Sequence, residues 1–224
     1  MSASQPALAA MAAPEPVASL AIVVDDDKDL RDGLANLFRS VGQEAALFAS
    51  PAEFLEARLP NVPSCLLLDI RLQGGSGFDL QLHLKRIGAT VPVIFMTGHG
   101  DIAMGVRAMK AGALDFLTKP FRDQELLDVV AEAIDRDRRR RRADEALGTL
   151  RSLYDGLTPR EKEVMRYVVS GLLNKQIAGE MGLQEITVKI HRGNMMRKME
   201  MRCVADLVRA AESLGLYKFR GVHE

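Results

Sequence analysis

The stretch CLLLDIRLQGGSG, residues 65–77, carries four apolar residues straight into Asp69 and then a glycine-rich loop. A short apolar run of this kind is typical of a strand that is buried on both faces of a parallel sheet. Such a strand ends at the carboxyl edge of the sheet, where open α/β sheets bind their ligands. Asp69 is therefore a candidate functional residue, although for this stretch alone the alternative is an Asp that only caps the next helix.

Length and composition indicate a globular protein with two domains. A chain of 224 residues suits two domains of ordinary size, and none of its apolar runs is long enough to cross a bilayer. Residues 1–18 are rich in Ala and Pro and lack the basic flank and apolar core of a signal peptide, so we expect a disordered tail. Cys65 and Cys203 lie far apart, which favours a reduced, cytoplasmic setting with both residues acting in packing.

Charge is distributed unevenly, although the net charge is zero. Residues 20–132 contain 11 basic and 16 acidic side chains, whereas residues 157–224 contain 12 basic and 8 acidic ones. An acidic front half and a mildly basic rear half indicate that only the rear half binds a polyanion such as nucleic acid.

The front half alternates apolar runs with segments of helical periodicity. Runs at residues 20–24, 45–48, 92–97 and 113–118 predict four strands besides the one that ends at Asp69. Five alternating βα units, over residues 19–134, predict a five-stranded parallel sheet with helices on both faces. Because parallel strands all point one way, the side chains at their ends should converge on one edge of the sheet. These side chains are Asp25, Asp26, Asp69, Thr97 and Lys119.

Carboxylates gathered at one edge repel one another, so a hard divalent cation is their natural partner. Mg²⁺ takes oxygen ligands and usually keeps several waters and a phosphate oxygen. We expect Asp26 and Asp69 to bind the ion directly and Asp25 to bind it directly or through water. The backbone carbonyl of Arg71, just past Asp69, could supply another oxygen.

The same arrangement favours phosphoryl chemistry at Asp69. Beside a metal ion, Asp69 stays ionised and can attack phosphorus to form an acyl phosphate. Lys119 would pair with the incoming phosphoryl group, and the Thr97 hydroxyl could then hydrogen-bond to it. An acid pair, a single acid, a hydroxyl and a lysine followed by proline, each at the end of a different strand, form a highly specific pattern.

Residues 20–134 resemble the receiver domain of two-component response regulators and are most similar to its FixJ-like branch. The matching segments are VDDD at 24–27, DIRL at 69–72, MTGHG at 96–100, MKAGA at 109–113 and DFLTKPF at 115–121. The resemblance implies a flavodoxin-like fold, a phospho-acceptor at Asp69 that a sensor histidine kinase serves, and Mg²⁺ at the acidic cluster. It also implies switch residues at Thr97 and Phe116 and a cis peptide bond between Lys119 and Pro120.

One position departs from the family pattern. The family usually has proline four residues after the acceptor, where this chain has Gln73, followed by Gly74 and Gly75. Loss of the proline ring is expected to loosen the loop beside the metal. The lifetime of the phosphoryl group should change as a result, but not the type of reaction.

Residues 135–156 connect the two halves and contain no proline. They predict a helix that continues from the fifth helix of the front half, with Leu147, Leu150 and Leu153 spaced for self-association near its end. Residues 138–142 are five consecutive arginines, which we interpret as a solvated helical face rather than as a direct DNA contact.

The rear half, residues 157–224, predicts four helices. Thr158 and Glu161 form a capping box around Pro159 at the start of the first helix. We expect Asn174 to cap a short second helix and Gly182 to form the tight turn before the third. Two short helices around a turn in a slightly basic unit indicate a helix-turn-helix whose second helix enters the major groove of DNA. Generic four-helix packing is the alternative.

Residues 157–215 resemble the LuxR-type helix-turn-helix. The matching segments are LTPRE at 157–161, NKQIA at 174–178 and TVKIHR at 187–192. By position, the resemblance implies that Lys189 and Ile190 reach base edges and that Gly193 allows the helix backbone to approach the DNA closely. The residues expected to touch phosphates are Lys175, Thr187 and Arg192. At Gln184 the family often has a serine that caps the third helix of this half, so the start of that helix should be weaker here.

Together these features predict a cytoplasmic transcriptional regulator that is not a turnover enzyme. A histidine kinase would phosphorylate Asp69, and changes at Thr97 and Phe116 would favour a homodimer that binds a two-fold site in double-stranded DNA. RNA polymerase is a further candidate partner.

Two other functions compete with this hypothesis. An aspartyl-phosphate phosphatase is disfavoured because such enzymes usually have a second Asp two residues after the nucleophile, where this chain has Arg71. The second alternative is a phosphorylation-independent LuxR-type factor with a vestigial receiver, and the intact set of acidic, hydroxyl and lysine residues argues against it.

Overall fold

The computed structural model describes residues 19–73, 75–98 and 102–216. The predicted tail at residues 1–18 lies outside the described residues. The chain divides into two compact units, one that ends at Arg141 and one that begins at Arg142. No helix in the described part of the chain has both the length and the apolar character needed to cross a membrane.

The first unit is built around a five-stranded parallel sheet, as predicted. Its strands are β1 (Leu20–Val24), β2 (Glu44–Phe48), β3 (Ser64–Asp69), β4 (Val93–Thr97) and β5 (Asp115–Thr118). Their spatial order is β2-β1-β3-β4-β5. The direction in which strands are added reverses between β1 and β3, and open α/β sheets bind ligands in the crevice at such a switch point.

Helices cover both faces of this sheet. They are α1 (Lys28–Ser40), α2 (Pro51–Glu56), α3 (Gly77–Arg86), α4 (Ile102–Lys110) and α5 (Asp123–Asp155). Phe54 of α2, Phe78 of α3 and Ala108 of α4 pack on one face, and Phe38 of α1 and Leu126 of α5 pack on the other. Every residue of β1 and β3 is therefore buried, which explains why these strands are continuous apolar runs rather than alternating patterns.

The two cysteines occupy different environments. Cys65 in β3 is completely buried, and burial raises the pKa of its thiol to about 12, so it acts in packing as predicted. Cys203 is exposed. The prediction that it also acts in packing is wrong, because it lies at the cap position before the last helix rather than on the buried face of that helix.

One helix, α5, continues through most of the predicted linker to Asp155. Within it, Asp137 is only 1% exposed. Its carboxylate accepts hydrogen bonds from the backbone N–H of Ser64 at 3.0 Å and from the guanidinium groups of Arg140 and Arg141, each at 2.6 Å. Asp137 therefore ties the helix to the first residue of β3.

This cluster corrects the interpretation of the arginine run. The side chains of Arg140 and Arg141 are 33% and 31% exposed, and Arg141 also donates to the side chain of Asn61. The prediction of a solvated face is wrong for these two residues, because a buried carboxylate three and four positions earlier on the same helix binds them. Arg139 and Arg142 are exposed, as predicted.

Two opposing effects set the pKa of Asp137. Burial raises it, but hydrogen bonds from Arg141, Arg140 and Ser64 outweigh burial, and the pKa lies below its ordinary value. A carboxyl group with a lowered pKa in the folded state stabilises the fold above its unfolded pKa, and this contribution is lost as the pH falls through the folded pKa. Asp137 should therefore stabilise the first unit at neutral pH and lose this effect in acid.

The described part of the second unit contains the end of α5 and the helices α6 (Pro159–Val169), α7 (Asn174–Met181), α8 (Glu185–Lys198) and α9 (Val204–Ser213). Their buried side chains form one core. Leu150 and Leu153 of α5 pack against that core. Packing within the unit therefore partly buries these two leucines and accounts for their spacing, and self-association of this segment stays a prediction.

Replacing Asp137 by Asn removes the negative charge that Arg140 and Arg141 bind. We expect the first unit to lose about 2 kcal/mol of unfolding free energy at neutral pH, since hydrogen bonds to charged groups contribute about 1.5–3 kcal/mol. Differential scanning calorimetry of the full chain measures the loss, and amide hydrogen exchange in β3 locates it. The matched control is Asp135→Asn on the same helix, where the side chain is 57% exposed and a change within about 0.5 kcal/mol is expected.

The pH dependence gives a second readout for this substitution. The difference between the wild type and Asp137→Asn should shrink below about pH 4, where an ordinary aspartate becomes protonated. Equal melting temperatures for the two variants at neutral pH would contradict the proposed role of Asp137.

Candidate functional site

Three carboxylates meet at the carboxyl edge of the sheet. Val24 and Leu68 are paired across β1 and β3, so the residues that follow them, Asp25 and Asp69, leave the strands side by side. Together with Asp26, they present carboxylate oxygens within 4.8 Å of one another. The structure thus brings together the three acids that the strand ends predicted.

Lys119, at the end of β5, lies against this cluster. Its ammonium group donates to Asp25 Oδ2 at 2.6 Å and to Asp69 Oδ2 at 2.9 Å. Burial lowers the pKa of Lys119, but the two hydrogen bonds outweigh burial and hold the pKa above its ordinary value. Burial also raises the pKa of Asp25, and the hydrogen bond from Lys119 offsets only part of that rise. The peptide bond between Lys119 and Pro120 is cis, as the resemblance implied.

Asp25 has further partners that the sequence analysis missed. The guanidinium group of Arg31 donates to the backbone carbonyl of Asp25 at 2.5 Å, and the backbone N–H of Asp27 donates to Asp25 Oδ1 at 2.9 Å. Asp27 itself caps α1, because its side chain accepts from the N–H groups of Asp29 and Leu30. A capping Asp before a helical apolar pattern was the available signal. Of the three consecutive acids, only the first two therefore belong to the pocket.

Thr97 and Phe116, the predicted switch residues, lie on the neighbouring strands β4 and β5. Thr97 is 1% exposed, and its backbone carbonyl accepts a hydrogen bond from the N–H of Lys119 at 2.7 Å. Phe116 is half-buried, and its ring lies against Gly105 of α4, where an added Cβ would come within 3.5 Å of the ring. The described geometry connects Thr97 to the pocket lysine and Phe116 to α4.

The loop after Asp69 folds into a small antiparallel ribbon, Arg71–Leu72 with Gly75–Ser76. The N–H of Arg71 donates to Asp69 Oδ1 at 3.2 Å. Gln73, the departure from the family pattern, is exposed at the turn of this ribbon, and Gly74 lies outside the described residues. No local sequence pattern indicates the constraint at Gly77, where an added Cβ would lie 2.3 Å from the backbone oxygen of Asp69.

The predicted DNA-contacting residues lie on α7 and α8. Lys175, Lys189, Ile190 and Gly193 are exposed, whereas Thr187 and Arg192 are half-buried. The opposite side of α8 is held in the core by Val188, Met195 and Met199. Gly182 between the two helices has a positive φ of 64°, a left-handed conformation that suits glycine, and this confirms the predicted tight turn.

The predicted capping role of Asn174 is wrong. Leu173 occupies the cap position, and Asn174 is the first residue of α7. The side-chain oxygen of Asn174 accepts from Arg192 Nη1 at 2.9 Å, while Gln176 Oε1 accepts from the N–H of Leu173 at 2.8 Å. The side chain of Asn174 therefore binds Arg192 on α8 instead of capping α7, as local capping rules had predicted. This bond also explains why Arg192 is only half-exposed.

A buried ion pair holds the end of α8, and the sequence analysis did not identify it. Glu161 is 3% exposed and accepts from the N–H of Thr158 at 2.8 Å and from Lys198 Nζ at 2.7 Å. Burial raises the pKa of Glu161, but these hydrogen bonds outweigh burial and leave the pKa below its ordinary value. The predicted capping box at Thr158 is confirmed, and its glutamate also anchors α8.

Comparison with known proteins places both halves in families. Residues 21–131 match the response regulator receiver domain, and residues 155–211 match the luxR family of bacterial regulatory proteins. Nodulation protein W of Bradyrhizobium diazoefficiens is 56% identical over 198 residues, which cover 88% of this chain and 87% of that protein. Transcriptional regulatory protein FixJ of Azorhizobium caulinodans is 39% identical and covers 87% of this chain and 92% of that protein. The chain belongs to the FixJ-like response regulators.

A solved structure extends this similarity to the fold of a response regulator with both domains. The response regulator StyR matches with a TM-score of 0.79 at 47% identity, over 87% of this chain and 98% of that one. The predicted fold class and the predicted function class, a two-component transcriptional regulator with a LuxR-type DNA-binding domain, are therefore confirmed.

Gly77 should be intolerant of any side chain. An added Cβ would also come within 3.1 Å of the side chains of Leu68 and Phe95, so Gly77→Ala should lower the unfolding free energy of the receiver by about 1–3 kcal/mol, as overpacking usually does. Gly75→Ala is the matched control two residues away, because an added Cβ there meets nothing within 4 Å. Calorimetry of both variants measures the effect, and equal stability of the two would refute the constraint.

The start of α8 should be open to improvement. Gln184 occupies its cap position and makes no side-chain hydrogen bond to the helix. This agrees with the weaker helix start that the sequence predicts. Gln184→Ser should stabilise the DNA-binding domain by about 1 kcal/mol, since a serine hydroxyl can accept from an unpaired N–H of the first turn. Gln184→Ala serves as the control and should bring no gain. If both variants melt at the same temperature, the cap is not what limits this helix.

Proposed function

We propose that this response regulator accepts a phosphoryl group on Asp69 from a histidine kinase and thereby controls the binding of α8 to promoter DNA. The observation that carries the proposal is the ammonium group of Lys119, which contacts both Asp25 and Asp69 beside Asp26 at one edge of the sheet. A lysine between two such carboxylates can move to the oxygens of a phosphoryl group that arrives at either of them.

The acceptor chemistry follows from the contacts of Asp69. Its side chain is 12% exposed, which leaves it reachable, and its oxygens accept from the N–H of Arg71 and from Lys119. A carboxylate oxygen would form a bond to the phosphorus of a phosphohistidine as the phosphorus–nitrogen bond breaks, and the imidazole would leave. Lys119 would hold the charge on the phosphoryl oxygens. The product is an acyl phosphate on the protein itself, so the reaction is a signal input rather than turnover.

The acidic cluster fits Mg²⁺. Three carboxylates lie beside two cations, Lys119 on Asp25 and Asp69 and Arg31 on the backbone carbonyl of Asp25, which leaves an excess of negative charge in a largely buried site. Asp25, Asp26 and Asp69, with the backbone carbonyl of Arg71, would hold the ion, and waters would complete its preferred oxygen shell. When bound, Mg²⁺ supplies positive charge at the acceptor and at the phosphoryl oxygens.

A groove beside the pocket suits the kinase. It has a volume of about 470 Å³ and lies between α1 and the segment that follows β5. Its lining is mainly apolar and includes Leu30, Leu34, Leu37, Pro120 and Phe121, with Lys119 at its edge. We assign it to a helix of the kinase, because a partner seated there would be next to the acceptor.

The signal would leave the pocket through Thr97 and Phe116. A phosphoryl group held by Lys119 and the Thr97 hydroxyl would favour a different position of β5, and the contact between Phe116 and Gly105 would pass this change to α4. Val106 and Met109 on α4 are 48% and 51% exposed. These apolar side chains support α4 as part of a surface that a second copy of the chain covers when the receiver is phosphorylated.

The output would be sequence-specific DNA binding by α8 in the major groove. Lys189 and Ile190 would contact base edges, and the phosphate contacts would come from Lys175, Thr187 and Arg192. An added Cβ at Gly193 meets nothing within 4 Å, so the fold itself does not require glycine there, and close approach to DNA is the remaining reason. A dimer bound to a two-fold promoter site in the cytoplasm would then act on RNA polymerase.

Asp69→Asn should abolish phosphoryl uptake from acetyl phosphate in the presence of Mg²⁺, because an amide oxygen is not a nucleophile for phosphorus. Intact-mass spectrometry measures the uptake. Asp27→Asn is the matched control, since this acid follows the neighbouring strand β1 at the same edge of the sheet but caps α1, where asparagine caps equally well. Undiminished uptake by Asp69→Asn would exclude Asp69 as the acceptor.

The same variants separate regulated from unregulated DNA binding. Footprints of the wild type on its promoter should strengthen after treatment with acetyl phosphate, and those of Asp69→Asn should not change. Identical footprints of the wild type with and without phosphate would favour the alternative, a phosphorylation-independent transcription factor with a vestigial receiver.

A further inference from the structure

We propose that Ile186, together with Ile190, makes this protein select thymine, by contacting the C5-methyl groups of thymines in the major groove. The inference rests on the proposed binding of α8 to DNA and adds a residue and a base preference to it. It starts from two isoleucines that the described structure leaves uncovered.

The two side chains lie on the outward face of α8. A helix turns about 100° per residue, so Ile186 and Ile190 lie roughly opposite the buried Val188, Met195 and Met199. Their exposures agree, at 59% for Ile186 and 57% for Ile190. Because they are one turn apart, they form a continuous apolar strip on the outward face of the helix.

Single exposed apolar side chains are ordinary, but this pair is not isolated. In the described part of the second unit, only Leu173 is a more exposed large apolar residue, at 69%. Two isoleucines one turn apart on the helix that is expected to enter DNA point to a shared apolar ligand. Neither contributes to the domain core, whose members lie on the other side of the helix.

The charges around the strip indicate which ligand covers it. Lys189 lies between the two isoleucines in sequence, Gly193 and Arg197 continue the outward face, and Lys189 is steadied by Glu185 at 3.2 Å. Glu185 offsets one of the two cations, so the net charge around the strip is positive, which favours a polyanion over an apolar protein groove. In the major groove, the apolar group that a base pair presents is the methyl group of thymine.

The spacing also suits DNA. Four residues along a helix span about 6 Å, and successive base pairs are about 3.4 Å apart. The two side chains therefore reach methyl groups about two base-pair steps apart. Since Gly193 adds no side chain beyond Ile190, the helix can lie close enough to the bases for both contacts.

The test begins with the full-length chain, treated with acetyl phosphate and Mg²⁺ because phosphorylation is proposed to control DNA binding, and a library of randomised DNA duplexes. Selection by the wild type should enrich thymine at two positions of each half-site, and Ile186→Ala should lose the enrichment at one of them. In the selected duplex, replacing that thymine by deoxyuridine removes only the methyl group. The wild type should then bind about fourfold more weakly, as expected for one buried methyl group at about 0.8 kcal/mol. Ile186→Ala should bind the two duplexes equally.

Two controls separate base selection from folding and charge. Ile87→Ala removes an isoleucine of similar exposure, 61%, in the receiver, and should leave the preference for thymine intact. Ile186→Ala should keep the melting temperature of the wild type and the same salt dependence on random-sequence DNA, because no cation has been removed.

The outcomes are distinguishable. The thymine proposal is overturned if deoxyuridine is tolerated at every thymine of the selected duplex, or if Ile186→Ala keeps the full sensitivity of the wild type. It is also overturned if Ile186→Ala abolishes a dimer in sedimentation while thymine sensitivity persists, since a second copy would then cover the strip. If the wild type retains no duplex even at low salt, DNA binding by α8 fails, and the thymine proposal fails with it.

Discussion

Lys119 holds together acidic side chains that would otherwise repel one another at the end of a buried parallel sheet. Because β1 and β3 pair in register, Asp25 and Asp69 cannot separate without disrupting the sheet. The ammonium group contacts two of the three clustered carboxylates, and buried charge without full compensation is costly. The acidic cluster is therefore unfavourable for the fold but favourable for binding a cation. Such departures from the rules of stable packing are expected at functional sites.

Other buried acids of the chain show the opposite balance. Asp137 accepts from two arginines and a backbone N–H, and Glu161 accepts from a lysine and a backbone N–H. Each therefore binds at least one cation that no other carboxylate shares, and each joins two elements, α5 to β3 in one case and α6 to α8 in the other. Asp25 and Asp69, in contrast, share Lys119. The number of cations for each carboxylate thus separates the acids that fix the structure from those that can do chemistry.

The distance in sequence between bonded partners explains which features of the structure could be predicted from the sequence alone. Strands, helices and the convergence of Asp25, Asp69, Thr97 and Lys119 follow from local periodicity and from the common direction of parallel strands, and the structure agrees with them. Partners that are distant in sequence, such as Ser64 for Asp137 or Lys198 for Glu161, depend on packing that no local pattern encodes. Asn174 was misassigned for that reason: a capping rule that considers three neighbours cannot include Arg192 on another helix.

The two functional surfaces also differ in how freely they can change. Asp25 and Asp69 both bind Lys119, so substitution of the lysine removes the shared cation from both acids, and substitution of either acid removes a partner from the lysine. On α8 the inner side chains and the Glu161–Lys198 pair carry the structural role, and the outward residues Ile186, Ile190 and Gly193 are exposed. Substitution on that outward face should therefore alter DNA preference with little effect on stability. The fold therefore restricts substitution in the acidic pocket and leaves the DNA sequence preference of α8 free to vary.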